Sequence, residues 1–265
     1  MVKVREFNLG PVELQKHILS TYLSLRIGIA AIGMAFPLIL AVGGYFYAGL
    51  CLQGSMSAYY HAVGPSGRTM RDWFVGILFA VGVFLYLYKG FSRIEDYLLN
   101  VAGVFSIGIA IFPMDWSACQ LIACEVSGQI PCSGGGSKEW ISLHGFCAIT
   151  FFLCIASVCL FCADDTLPLI QSNDVRERLR KAYRLIGGLM IGSMALAYVF
   201  NTVLHNTART FYVEAFGILS FAAYWWTKSW ELGQTAAESR AIRGRLANVK
   251  GRVMDATLEK QPTAY

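Results

Sequence analysis

The sequence predicts an all-α integral membrane protein, a six-helix transmembrane bundle with both termini cytoplasmic, and three observations carry that prediction. Hydrophobic residues fill 55% of the 265 positions, charged residues only 15%, and mean hydropathy is +0.49; soluble domains carry about 25% charge. Apolar runs approaching the ~20 residues of a bilayer crossing recur six times along the chain. The Lys and Arg residues also segregate into alternate connecting segments, as topogenic charge does.

In order, residues 1–26 mix charge with an apolar period (Val12, Ile18, Leu19, Tyr22, Leu23) and read as a cytoplasmic or interfacial N-terminal helix. No short apolar core followed by a small-residue cleavage site precedes the first run, so no removable signal peptide is expected. The transmembrane domain spans 27–227. Its expected crossings are Ile27–Leu50, Trp73–Tyr88, Tyr97–Met114, Trp140–Ala163, Leu185–Leu204 and Phe211–Thr227. Residues 228–265 read as a basic, helix-compatible cytoplasmic tail suited to an anionic leaflet.

Orientation follows from the cations. With the N-terminus inside, 18 of the 22 Lys and Arg fall in inner segments, while Arg68, Arg71, Lys138 and Arg209 fall outside. Trp73, Trp116 and Trp140 then mark the outer boundary, and Trp225, Trp226 and Trp230 the inner one. The Gly188–Gly192 step in the fifth run permits a close helix approach, and Gly43, Gly44 and Pro37 interrupt the first.

The net charge of +5 avoids the apolar runs, and no basic patch interleaves with aromatics. Nucleic acid is therefore not an expected partner; membrane lipids are, together with a second copy of the chain or another membrane protein. Cys147, Cys154, Cys159 and Cys162 belong to the fourth crossing, where a thiol packs as a small apolar group. Cys51, Cys119, Cys124 and Cys132 lie at or beyond the outer boundary, where disulfides form, and one bridge within the Trp116–Glu139 loop is favoured.

The polar residues concentrate at the same face. His61, His144 and His205 all map to outer helix ends, and Ser55, Ser57, Asp72, Asp115 and Glu214 lie at similar depth. Three imidazoles with an open fourth position suit catalytic zinc. Asp72, Asp115 or Glu214 would move protons or orient a ring, and Ser57 would assist the oxyanion or the metal-bound water. The bland counterpart is that the same residues anchor helix ends. Ser55 and Ser57 would form turns, Tyr59 and Tyr60 would sit at the interface, and Glu214 would pair with Arg71 or Arg209.

The stretches SMSAYYH, RDWFVGILFAVGVFLYLYKG, IFPMD and FYVEAFGILSFAAYWWTKSWEL resemble a family of uncharacterised bacterial multipass membrane proteins. That resemblance covers most of the chain and implies a six-span inner-membrane protein. A partial resemblance links Ser57, His61 and Asp72 to the membrane-hydrolase superfamily of alkaline ceramidases and progestin/adiponectin-type receptors. Its Ser-xxx-His step and helix-starting Asp bind zinc together with a His-xxx-His pair. No such pair occurs here, and only His144 and His205 stand in its place.

Two functions are thus in view. One is a non-catalytic membrane protein, whether scaffold, assembly partner or small transporter. The other is a zinc-dependent hydrolase taking lipid amides or esters from the outer leaflet.

Overall fold

Long apolar stretches bounded by Ser, Gly and Pro build six long helices in the computed structural model, which describes residues 11–114, 142–202, 210–235, 237, 246–249 and 252–255. They are α1 (Pro11–Leu38), α2 (Arg71–Leu87), α3 (Arg93–Ile111), α4 (Leu143–Ser157), α5 (Asn173–Thr202) and α6 (Thr210–Thr235). Each packs on its neighbours in chain order, and α6 returns to α1, so the bundle closes on itself.

The fold departs from the sequence expectation in identifiable places. No break separates an N-terminal helix from the first crossing: α1 is continuous from Pro11 and passes into a π-helical segment, Ile39–Ala48. The register changes just after Pro37, which lacks the N–H needed to continue the α pattern. Gly49 ends the segment in the left-handed region at φ 68°, a conformation open to glycine. α5 begins at Asn173, well before the expected Leu185. α6 runs on to Thr235, so Lys228–Thr235 belong to the helix and not to a tail. Further along, Leu246–Val249 and Arg252–Asp255 pair as antiparallel strands in a stretch that the sequence marks only as helix-compatible.

Among the described residues, four segments are long and apolar enough to cross a membrane: Lys16–Ala48, Arg93–Ile111, Leu143–Leu169 and Asn173–Phe200. α2 has 17 residues, about 25 Å of helix against a hydrocarbon core of about 30 Å. α6 is longer but carries Glu214, Lys228 and Glu231.

Close approaches occur where glycine removes side-chain bulk. A Cβ on Gly82 would stand 2.7 Å from the Gly103 carbonyl oxygen, and one on Gly103 would stand 2.6 Å from that of Gly82, so α2 and α3 meet backbone to backbone. The buried Ser106 hydroxyl ties the same pair, donating to the Leu78 carbonyl at 2.8 Å. The expected Gly188–Gly192 approach is not made, since a Cβ at either position would have nothing within 4 Å. Aromatic residues fill the interior, with Phe151, Phe221, Trp225 and Tyr88 in successive ring contact. Trp225 is 1% exposed and belongs to this core; Trp226 and Trp230 stay on the surface.

Candidate functional site

The segment from Gln53 to Arg71 joins α1 to α2 and folds back over one end of the bundle. Ser55 takes the turn-forming role expected of it, its Oγ accepting the Ala58 N–H at 3.1 Å. A short 3-10 turn, Ser57–Tyr60, follows. Tyr59 is not interfacial: it is fully buried, with Phe211 6.1 Å away centroid to centroid. Burial pushes its phenol up, so it stays neutral, and the Gln53 N–H donates to its oxygen.

Two helix ends complete the site. α3 stops at Ile111, and the carbonyl of Phe112 points beyond the helix without an intrahelical partner. Ser142 caps α4 by accepting the Gly145 N–H at 3.2 Å, which fixes His144 in the first turn. His144 then bridges the two chain segments. Its Nδ1 is 2.8 Å from the Phe112 carbonyl oxygen and its Nε2 is 2.8 Å from Ser57 Oγ.

These distances assign the tautomer. A carbonyl only accepts, so Nδ1 carries the proton, and Nε2 presents a lone pair to the Ser57 hydroxyl. The arrangement is a hydroxyl donating to a base that a third group orients, with a backbone carbonyl in the orienting place. Ser57 is half-buried and His144 buried.

Glu214 enters from the first turns of α6. It does not pair with Arg71; Arg209 lies outside the described residues. Its carboxylate accepts the Met56 N–H at 2.6 Å and the Ser57 N–H, tying the Ser57 turn to α6. Phe211 N–H donates to the Gly54 carbonyl at 2.7 Å and reinforces that junction. Asp72 is exposed in the first turn of α2 and meets neither Ser57 nor a histidine through any described contact. Asp115 and His205 lie outside the described residues, as does the bridge expected within Trp116–Glu139. Cys51 is disulfide-bonded, whereas Cys147, Cys154, Cys159 and Cys162 are buried free thiols.

Of the three histidines expected to hold zinc, His61 and His144 are described and His205 is not. His61 Nε2 is 2.9 Å from the Met114 carbonyl, so that nitrogen carries a proton and offers no lone pair to a metal. Both nitrogens of His144 are committed as described. Among the described residues, no group of three His, Cys, Asp or Glu side chains is placed to hold a metal ion.

The opposite end of the bundle holds a polar network outside the expected set. Lys228 Nζ donates to the Ala163 carbonyl (3.3 Å), Thr166 Oγ1 (2.7 Å) and Glu231 Oε2 (3.2 Å). Glu231 also accepts from Thr166, and from the Tyr183 hydroxyl at 2.5 Å. Lys228 and Glu231 are 1% and 0% exposed. All three ammonium protons and both carboxylate oxygens are satisfied, which is what a buried pair needs to be tolerated. Nearby, Ser92 caps α3 by accepting the Glu95 N–H, and Glu95 returns its carboxylate to the Phe91 N–H, in a reciprocal cap. The signal for this network was present as Lys228 and Glu231 three residues apart among tryptophans. The network lies just past Thr227, where the apolar run ends.

Fold and site together define a predominantly helical membrane protein with a Ser–His pair at one end and a buried ion-pair network at the other. No family model, no curated protein and no solved structure matches the chain.

Proposed function

We propose that this chain is a six-span protein of the cell inner membrane, with both termini cytoplasmic and the Ser57 end outward. Within that frame it is a hydrolase taking lipid esters or amides from the outer leaflet, with Ser57 as nucleophile and His144 as base. The single observation that carries the reading is the chain of two 2.8 Å contacts from the Phe112 carbonyl through His144 to Ser57 Oγ. The cation distribution supports the orientation.

The chemistry balances without an added group. Ser57 Oγ bonds to the acyl carbon, the carbonyl π pair moves to oxygen, and the hydroxyl proton passes to His144 Nε2. When the carbonyl re-forms, the leaving alcohol or amine takes that proton. Water then attacks the acyl-serine with the same base and frees the acid and Ser57.

The test is covalent labelling of the detergent-purified protein with a fluorophosphonate, read by intact mass. One adduct on Ser57, absent in Ser57→Ala and nearly absent in His144→Ala, is the expected result. No adduct on a folded protein would return the chain to the non-catalytic class of scaffold, assembly partner or small transporter. Reporter fusions at both termini test the orientation.

A further inference from the structure

Arg71 is fixed to the same turn as Ser57. Its Nε donates to the Tyr60 carbonyl at 2.9 Å, and its guanidinium carbon lies 4.8 Å from the Tyr60 ring centroid. The side chain is exposed, and no described carboxylate pairs with it. Its two terminal nitrogens therefore face no described counter-charge, while the stacked ring limits where the fork can go. Such a planar guanidinium suits phosphate, which it can hold through two parallel hydrogen bonds.

The spacing to the nucleophile is informative. Residues three apart in a 3-10 turn stack on one face about 6 Å apart along the axis, so Ser57 and Tyr60 share an edge. In a glycerolipid, about five bonds, roughly 6 Å end to end, separate the phosphate phosphorus from an acyl carbonyl carbon. Resting on the hydrolase reading, we infer that Arg71 is the headgroup-phosphate site of this centre and that the substrate class is phosphate-bearing diacyl glycerolipids. The ester bond broken is the acyl one: the acyl group passes to Ser57, and the lysolipid alcohol leaves with the proton held by His144.

Arg68 provides the control. It donates to the Tyr47 carbonyl at 3.3 Å and stacks 5.0 Å over the Tyr47 ring, so it is a cation of the same segment that does not sit on the Ser57 turn. The first measurement uses Ser57→Ala protein in detergent, titrated calorimetrically with a short-chain phosphate-bearing diacyl lipid and with the diacylglycerol of the same chains. The phosphate-bearing lipid should bind ~10-fold or more tighter. Adding Arg71→Gln should erase that preference, and adding Arg68→Gln should leave most of it.

A preference that survives Arg71→Gln, or that Arg68→Gln removes equally, overturns the inference. Inorganic phosphate binding as tightly as the lipid, with the same dependence on Arg71, also overturns it and assigns the site to a free anion. Turnover of the two lipids by the parent protein separates the two levels. Ser57-dependent turnover without an Arg71-dependent preference sinks the inference alone. An Arg71-dependent binding preference without Ser57-dependent turnover sinks the hydrolase reading and leaves the phosphate site standing.

Discussion

Ser57 and His144 are 87 residues apart in the chain and 2.8 Å apart in the bundle. The contact depends on three local structures: the 3-10 turn that presents Ser57, the Ser142 cap that starts α4, and the end of α3 that leaves the Phe112 carbonyl to hold Nδ1. Glu214 then fastens the Ser57 turn to α6 through the backbone. Three helices, α3, α4 and α6, thus converge on the turn that carries one hydroxyl.

If His144 is the base, its removal should act on the reactivity of Ser57 more than on the fold. His144→Ala is expected to slow fluorophosphonate labelling by ~10²-fold or more. Loss of two hydrogen bonds should lower stability by about 1–3 kcal/mol. Labelling rates read beside thermal unfolding separate the effects, because a purely structural histidine would lower the second and spare the first.

The hydrogen bonds of His61 and His144 to carbonyls leave their proton-bearing nitrogens without metal-binding capacity. Labelling of Ser57 and any lipid turnover are therefore expected to survive prolonged treatment with a strong zinc chelator. Elemental analysis before and after treatment checks that metal removal was real. Activity lost on chelation and regained with zinc would favour the tri-histidine centre and displace the Ser57 reading.

Much of this arrangement was legible as pieces. All six expected crossings coincide with helices to within a few residues at one end or the other, because long apolar runs with Ser and Gly punctuation admit little else. Ser57 and His144 both stood among the candidates, but in different roles. Depth along the membrane normal can be inferred from sequence; which imidazole nitrogen faces which partner is decided by the end of α3 and the cap of α4. In sequence Lys228 marks the start of a tail, because a cation normally closes an apolar run. Its burial depends on acceptors from Ala163, Thr166 and Glu231, and Ala163 and Thr166 come from a segment more than 60 residues earlier.

The Lys228–Glu231 network makes a sharp stability prediction. Lys228→Met should destabilise the bundle by about 3–5 kcal/mol, since it leaves Glu231 as an uncompensated buried charge. Lys228→Met with Glu231→Leu should recover part of that loss, because the double change removes both charges. Denaturant or thermal unfolding of the three variants in one detergent checks the order. A double variant no better than the single one would place the stabilisation in the Thr166 and Tyr183 bonds to Glu231, not in the ion pair.

Helix contact through glycine gives a prediction in which position, not residue type, decides the sign. Gly82 and Gly103 face each other's carbonyls at distances that no Cβ can occupy. Gly103→Ala must therefore push α2 from α3, weakening the Ser106–Leu78 hydrogen bond as well, at a cost of about 1–3 kcal/mol. Gly188 lies in a helix with nothing near the added methyl. Gly188→Ala should accordingly be neutral or stabilising by up to about 1 kcal/mol, the intrinsic helical gain of alanine over glycine. Paired unfolding midpoints read the contrast directly. If Gly188→Ala proved the more damaging, α5 would have to meet a partner on that face, such as a second copy of the chain, and oligomeric state measured on the same variant would show whether that contact had been lost.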